Sequence, residues 1–357
     1  MSDEHISLAK TWGHGCFAEH PECPKYEPNW MPTRLIEILD KNNIRLVDTE
    51  SLAAPVPYYA LSYCWGEEPV LTTTGAVIQD FKSQILLEDL PLTIEDAITV
   101  VRRMGGHFLW VDSLCIIQDD LDDWAREAAT MCDVYQNSYL TIVALGAHGA
   151  TDGLFARRDP LAVTDCCLPS ISANRVVPVR ETVNNNYDTD FFRSNLEHRG
   201  WTFQERALAP RKLFFSSFIF WECATSFTVG KEEFPDAHEW RESTVDPYHR
   251  RPLPGEVVCV PIRLDAFGLY KVPEWLGQWY TDLFDFSGRD LTKATDRLTA
   301  IAGVISHRER ASGRKTDYGV WLDFWPFDLL WSCLYGERAE RLDGAPTWSW
   351  ASLTAQV

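Results

Sequence analysis

Three short apolar segments, separated by two amphipathic ones, limit residues 58–145 to few architectures. The segments YYALSYC (58–64), HFLWV (107–111) and YLTIVAL (139–145) have the composition of buried strands. Alternating strands and helices, with near-continuous apolar strands, predict parallel pairing and helices on both faces of the sheet. We therefore expect an α/β domain built on a parallel sheet.

Each intervening segment has the pattern of an amphipathic helix. In residues 91–106, Thr93 and Asp96 form a capping-box pattern and Gly105 ends the apolar periodicity. Residues 122–136 form the second predicted helix. Its inner side is predicted to carry Trp124, Ala128, Met131 and Tyr135.

The flanking sequence predicts three regions. Residues 1–50 form an N-terminal extension with two short strands, which packs on a core domain of residues 51–222. That domain ends in KLFFSSFIFWEC (212–223), predicted as one long strand. Residues 223–357 form a mainly helical, tryptophan-rich extension. Its closing segment TWSWASL alternates like a strand, so a natural chain that continues past Val357 is plausible.

Composition excludes several classes of partner. The chain has 357 residues, 45% of them hydrophobic, and a formal net charge of −19. Such a charge opposes a general electrostatic interaction with nucleic acid or anionic lipid. Ten cysteines without a preceding signal peptide indicate a reduced, cytoplasmic protein, and the longest apolar run is too short for a membrane span. Fifteen tryptophans predict a dense core, aromatic ligand platforms, or both.

The N-terminal residues Cys16, His20 and Cys23 are ligand types found in zinc sites. Together with Trp12 they are also spaced like one helical face, and no fourth ligand is nearby in the sequence. Cysteine is commonly buried, so ordinary packing is the preferred interpretation and no metal is assigned.

Ligands of open parallel sheets bind beyond the carboxyl ends of the strands. The first strand ends with Ser62, Tyr63, Cys64 and Trp65, and Asp112 follows the second. The segment after the third strand ends in Arg157 and Arg158. Structural alternatives exist for each: Asp112 caps a turn, Trp65 plugs the sheet edge, and the arginines form a solvated pair. Two cysteines near strand ends, Cys64 and Cys115, are interpreted as inert thiols because no histidine is placed to activate them.

The segment RGWTFQER (199–206) places a carboxylate beside an aromatic ring and between two cations. In a helix, Trp201 and Glu205 are i and i+4 neighbours on one face, flanked by Arg199 and Arg206. That face is either a packing seam, in which Glu205 pairs with an arginine, or a site.

A lone carboxylate suffices for one class of reaction. Glycoside cleavage usually needs two carboxyl groups, because the leaving oxygen must be protonated. The N-glycosidic bond of NAD⁺ differs, since its nicotinamide is a cationic pyridinium that leaves as a neutral molecule. One anion beside the ribose can hold the hydroxyls and stabilise an oxocarbenium-like transition state. Aromatic rings can stack on a base and arginines can hold the diphosphate, and residues 199–206 contain all three side-chain types.

Six motifs follow one another in this chain: YYALSYCWG (58–66), LPLTIEDAI (90–98), LWVDSLCIIQDDLDDW (109–124), MCDVYQNSYLTIVAL (131–145), GLFARR (153–158) and RGWTFQERALAPRKLFF (199–215). Together they resemble the heterokaryon incompatibility (HET) domain of filamentous fungi. This resemblance implies a role in cell death after non-self recognition. HET domains are in turn similar to Toll/interleukin-1 receptor (TIR) domains, whose sheet is flavodoxin-like. Many TIR domains cleave NAD⁺ with the glutamate of a W-x-x-x-E pattern, which here falls on Trp201 and Glu205.

The resemblance implies a flavodoxin-like (TIR-like) fold and a fungal cell-death effector that hydrolyses NAD⁺ with Glu205 as its catalytic carboxylate. NAD⁺ or a related dinucleotide is the substrate, no cofactor or metal is needed, and self-association accompanies activation. The product is ADP-ribose or a cyclic form. An alternative is a non-catalytic HET module that acts by self-association or partner recruitment; a thiol- or metal-dependent hydrolase is a third class. The predicted substrate-binding residues are Ser62, Tyr63, Trp65, Asp112, Arg157, Arg158, Arg199 and Trp201.

Overall fold

A mixed sheet organises the chain, and parallel strands form its centre. The computed structural model describes residues 3–27, 29–40, 43–155, 166–169, 176–179, 190–191, 193–230, 274–333 and 339–357. The eight strands of the sheet lie in the order β10-β9-β8-β5-β3-β4-β1-β2. The strands are β1 (Arg34–Ile38), β2 (Ile44–Asp48), β3 (Tyr59–Ser62), β4 (Phe108–Trp110), β5 (Leu140–Val143), β8 (Arg211–Phe215), β9 (Ile219–Cys223) and β10 (Phe227–Gly230), with a separate hairpin of β6 (Cys166–Pro169) and β7 (Val176–Val179).

The predicted parallel pairing is confirmed at the centre of this sheet. Strand β3 pairs in parallel with β4 on one side and with β5 on the other, and β5 pairs in parallel with β8. Counted along the chain, the parallel strands therefore lie in the order 2-1-3-4. Antiparallel hairpins, β1–β2 and β9–β10, extend the two sides. We call the ends where the parallel strands stop the carboxyl edge, and the opposite ends the amino edge.

Helices cover the sheet on both faces. The chain moves from β3 to β4 in one direction and from β4 to β5 in the other, so right-handed crossovers place the two connecting helices on opposite faces. The first contacts the N-terminal helix, and the second contacts the helix that carries Glu205. The helices are α1 (Asp3–Glu19), α2 (Ile78–Ser83), α3 (Leu92–Met104), α4 (Asp112–Cys115), α5 (Leu121–Gln136), α6 (Asn195–His198), α7 (Gly200–Leu208), α8 (Glu274–Ser287) and α9 (Arg297–Ser312).

The predicted capping box of α3 is wrong, although the helix itself and its end at Gly105 are confirmed. The N-cap position is Pro91, so Thr93 and Asp96 lie inside the helix. Their side chains bind the loop after β5 instead: Thr93 Oγ1 donates to the Gly149 carbonyl (3.2 Å), and Asp96 Oδ2 accepts from the Leu154 amide (2.8 Å). The polar start of α3 thus secures a loop at the carboxyl edge.

The predicted inner face of α5 is wrong in its first two turns. Trp124 is 42% exposed, whereas the acidic Asp123 and Glu127 are buried. The reason is a buried cation from β1: Arg34 Nη2 forms ion pairs with Asp123 and with Glu127 Oε1, the latter at 3.6 Å. A charged partner from a remote strand therefore overrides the local apolar periodicity. Met131 and Tyr135 are buried as predicted.

Residues 212–223 form a hairpin, and the prediction of one long strand is wrong. The chain reverses at residues 216–218, where the Ser216 amide donates to the Phe218 carbonyl (3.0 Å). The hydroxyl of Ser216 also donates to Asp190 Oδ2 at 2.6 Å. Both arms of the hairpin are fully buried and mostly apolar, so composition alone did not reveal the turn.

The described C-terminal residues build a second apolar cluster around α7. Helices α8 and α9 and the buried Trp279, Trp321 and Trp350 contribute to it. The closing segment is not a strand: a short 3₁₀ turn spans Trp350–Ser352, because the Ser349 hydroxyl accepts from the Ala351 amide (3.1 Å). Among the described residues, no helix has both the length and the apolarity needed to cross a membrane.

Two glycines at the ends of elements allow a test of backbone packing at the carboxyl edge. Gly66, after β3, has φ +80°, and a Cβ there would lie 2.9 Å from Gly149 Cα. Gly105 has φ +90°, but nothing lies within 4 Å of a Cβ at that position. We expect Gly66→Ala to lower the free energy of unfolding by about 3 kcal/mol, and Gly105→Ala by about 1 kcal/mol. Parallel urea titrations measure both, and equal losses would contradict a clash with Gly149.

Candidate active site

Glu205 lies in the middle of α7, with its side chain against the carboxyl edge of the sheet. The segment is helical, since α7 contains both Trp201 and Glu205, which are therefore i and i+4 neighbours. Glu205 is only 8% exposed, and its carboxylate forms hydrogen bonds with the hydroxyls of Ser62 and Tyr135. Ser62 is the last residue of β3, whose neighbours β4 and β5 are reached by chain connections running in opposite directions. Such a reversal of strand order is where open α/β sheets form ligand crevices.

The environment of Glu205 opposes ionisation. The pKa of Glu205 is raised to about 7, mainly by burial, and the nearby negative charge of Asp112 contributes to the increase. The hydrogen bonds from Ser62 and Tyr135 and the positive charge of Arg199 act in the opposite direction without cancelling the effect of burial. The carboxyl group therefore exchanges a proton near neutral pH.

A second carboxylate, Asp112, starts α4 directly after β4 and is tied to the loop after β3. Its Oδ2 accepts from Trp65 Nε1 at 2.8 Å, and its Oδ1 accepts from the Ser113 amide at 2.7 Å. The Tyr63 hydroxyl donates to Ser113 Oγ at 3.0 Å and lies near Asp112, and burial raises the pKa of Asp112. Trp65 and Asp112 thus hold each other in place. The contact with the Ser113 amide corresponds to the alternative prediction that Asp112 caps a turn.

The two arginines that flank the motif have different partners. Arg206 forms ion pairs with Glu197 (3.0 Å) and Glu222 (3.8 Å). Arg199, at the N-cap of α7, hydrogen-bonds to Cys64 and acts through its charge on Glu205. Burial alone would lower the pKa of Arg199, but these neighbours raise it above its usual value. The guanidinium is therefore a permanent cation near the carboxylate.

The structure brings most of the predicted site residues to one place. Ser62, Tyr63, Trp65, Asp112, Arg199 and Glu205 are connected by the contacts above. Trp201 is partly buried where the main core meets the C-terminal cluster, so it serves the packing seam. The predicted Arg157 and Arg158 lie outside the described residues.

One neighbour of Glu205, the hydroxyl of Tyr135, was not among the predicted site residues. This side chain is fully buried on α5, and its hydroxyl donates to the Leu61 carbonyl at 3.1 Å and lies near Glu205. A tyrosine on an apolar helix face needs a polar partner, and that requirement was the available signal. The predicted inertness of Cys64 agrees with its surroundings, because burial raises the pKa of its thiol.

Two other features lie at the amino edge. A cavity of about 700 Å³ is lined by residues such as Arg211, Lys212, Glu222 and Arg308, and its lining includes none of the predicted site residues. Among the described residues, a single group has the spacing of metal ligands: Cys16, His20, Cys23 and Cys223. Strand pairing of Cys223 with Arg211, the first residue of β8, places this group at the amino edge too.

The fold and the site define an α/β protein with a poorly hydrated carboxyl group at the carboxyl edge of its parallel strands. Residues 58–205 match the family described as heterokaryon incompatibility protein (HET), and the matched range begins one residue before β3 and ends at Glu205. The chain therefore carries a HET domain over these residues, as the order of its motifs predicted.

A curated relative has the same family name. Over 111 residues the chain is 28% identical to heterokaryon incompatibility protein 6, OR allele, of Neurospora crassa. The match covers 28% of this chain and 15% of the relative, so the chain spans a small part of that protein. No solved structure matches the chain.

Proposed function

We propose that this chain is a fungal cell-death effector that hydrolyses the bond between nicotinamide and ribose in NAD⁺, with Glu205 as the catalytic carboxylate. The observation that carries the proposal is a glutamate with a pKa raised to about 7, hydrogen-bonded to Ser62 at the switch in strand order. The 2-1-3-4 order of the parallel strands equals the first part of the flavodoxin-like order, which supports the expected TIR-like fold.

The proposed reaction needs no acid for the leaving group. The C1′–N bond breaks with its electron pair going to the pyridinium nitrogen, so nicotinamide leaves as a neutral molecule. The ionised Glu205 stabilises the oxocarbenium-like ribose, and little solvent surrounds it to weaken the attraction. Water then attacks C1′ and loses a proton to the carboxylate, which gives ADP-ribose; attack by a group of the same dinucleotide would give a cyclic product.

The remaining predicted residues have proposed roles around the dinucleotide. Ser62 and Tyr135 hold the carboxylate, and Arg199 favours its ionised form. The pair of Trp65 and Asp112 presents an aromatic face and a carboxylate beside it, suited to a base and to ribose hydroxyls. Arg157 and Arg158 are proposed to bind the diphosphate, and self-association is proposed to accompany activation.

The direct test is nicotinamide release by the purified chain. NAD⁺ is incubated with protein over a wide range of concentrations, while light scattering follows self-association. We expect nicotinamide and an equal amount of ADP-ribose or its cyclic form. A protein that self-associates and still releases no nicotinamide would contradict the proposal.

Arg199 offers a prediction for the pH dependence of this activity. Its positive charge lowers the pKa of Glu205, so Arg199→Gln is expected to shift that pKa upward. The rising limb of nicotinamide release against pH then moves to higher pH, by about one unit. Arg193→Gln, at an exposed position before α6, is the control and should leave the profile unchanged. Identical profiles for all three proteins would contradict the assigned electrostatic role.

A second candidate function is a non-catalytic module that self-associates or recruits a partner. It is supported by two apolar side chains on the first turn of α5, Leu121 and Trp124, which are 84% and 42% exposed. Exposed neighbours of this kind favour protein contacts. This alternative predicts that Glu205→Gln keeps full cell-death activity whenever the variant remains folded and assembles, as thermal melts and gel filtration would show.

A further inference from the structure

Four metal-ligand side chains from distant parts of the chain meet at the amino edge. Cys16 lies in the last turn of α1, His20 and Cys23 follow it, and Cys223 is the last residue of β9. One sulfur or ring-nitrogen atom from each lies within 4.8 Å of all the others. His20 Nδ1 is 3.4 Å from Cys223 Sγ and 3.8 Å from Cys23 Sγ.

These separations agree with one ion bound at the centre of the group. Tetrahedral zinc, with Zn–S near 2.3 Å and Zn–N near 2.0 Å, places neighbouring ligand atoms about 3.5–3.8 Å apart. Three cysteines and one histidine are a ligand set of structural zinc sites, in which the protein fills every coordination position. Soft thiolate ligands disfavour Mg²⁺ and Ca²⁺.

A buried cation beside the group supplies independent support. Arg211 is 2% exposed and lies close enough to Cys16 for its charge to act on the thiol. Its guanidinium stacks over the Phe17 ring at 3.9 Å and donates from Nη2 to the Pro24 carbonyl. Its Nε is buried and has no hydrogen-bond partner among the described residues. Three thiolates around Zn²⁺ leave one net negative charge, which this buried cation would balance.

Hydroxyl groups complete the surroundings of the sulfur atoms. Ser226 Oγ lies 3.3 Å from Cys223 Sγ, and Thr225 Oγ1 lies 3.5 Å from Cys23 Sγ. Both residues belong to the turn between β9 and β10. Their O–H groups can donate to metal-bound thiolates, the usual role of polar groups behind the ligands.

We propose that Cys16, His20, Cys23 and Cys223 bind one Zn²⁺ ion, which fastens the N-terminal helix to strand β9. The expectation of no metal depended on a missing fourth ligand, and the fold supplies that ligand some two hundred residues later in the sequence. Bound metal would tie the N-terminal extension to the side of the sheet where β8, β9 and β10 lie.

Metal content of the purified full chain is the first test. We expect about one zinc ion per chain for the wild-type protein by mass spectrometry of the digested sample. Cys23→Ser and Cys223→Ser should fall well below that value, while Cys132→Ser, at a thiol outside the group, should keep the wild-type content. Equal zinc in all four proteins would overturn the assignment.

A second test uses the wild-type chain, so its result does not depend on whether the variants fold. Zinc is removed from the wild-type chain with a chelator under reducing conditions and replaced with Co²⁺. We expect the visible absorption of tetrahedral cobalt together with thiolate-to-cobalt charge transfer, and a higher melting temperature than that of the metal-free chain. The proposal would be overturned by wild-type protein that binds neither ion, or by intact-mass analysis showing a disulfide within the group.

Discussion

Glu205→Gln is expected to lower nicotinamide release from NAD⁺ by about 100-fold or more while the chain stays folded. Glutamine has nearly the same shape as glutamate and can still hydrogen-bond to Ser62 and Tyr135. What it lacks is the negative charge that stabilises the developing oxocarbenium ion. The rate of nicotinamide release at saturating NAD⁺, measured above pH 7, is the quantity to compare.

The matched control is Glu127→Gln. Glu127 is also a buried glutamate on a helix, but it belongs to the Arg34 ion-pair group near β1. We expect this variant to retain wild-type release per folded molecule. If both substitutions reduce release equally, the loss reflects general destabilisation, and Glu205 has no special role in the reaction.

The second large effect concerns stability, because a buried carboxyl group with a raised pKa favours its protonated form. The pKa of Glu205 is about 7 in the folded chain, against an ordinary value of 4.5. Its favourable contribution is fully present below pH 4.5 and is lost as pH rises through about 7. At about 1.4 kcal/mol per unit, the ionised group costs about 3 kcal/mol of folding free energy above that window. Glu205→Gln should remove this cost.

Urea unfolding from pH 4.5 to 8 measures the prediction. We expect the free-energy difference between Glu205→Gln and wild type to grow in favour of the variant as pH increases. Glu88→Gln is the control, since this side chain is exposed to water in the folded chain. Other buried carboxyl groups are shared by all three proteins, so their titration does not affect the comparison. Parallel curves for Glu205→Gln and wild type would show that Glu205 ionises as freely as in the unfolded chain.

A raised pKa does not by itself distinguish a site from a structural ion pair, because burial also raises the pKa of Glu127, which pairs with Arg34. What distinguishes Glu205 is its position beside Ser62 at the carboxyl edge, where the strand order reverses. Groups with such shifts are concentrated at functional sites, where stability is given up for chemistry.

Much of the architecture was predictable because it depends on local patterns. Short apolar runs separated by amphipathic helices predicted the parallel centre, and the positive φ of Gly105 explains the helix end that its sequence position indicated. The order of the motifs identified the HET domain, and the position of polar residues at strand ends located Ser62, Asp112 and the vicinity of Glu205. Because these strands are parallel, their carboxyl ends lie at one edge of the sheet, whatever the length of the loops between them.

Contacts between distant segments were not predictable in the same way. Asp123 and Glu127 are buried because Arg34 comes from another strand, Tyr135 reaches Glu205 across the sheet edge, and Cys223 completes a ligand group begun at Cys16. Periodicity records which face of an element is apolar, but a buried charge or thiol is stable only with its partner present. The sequence alone therefore determined the HET domain, the parallel centre and the candidate carboxylate. The tertiary structure decided which side chains pair, because a buried charge or thiol gains its interaction energy only when its remote partner lies beside it, away from water.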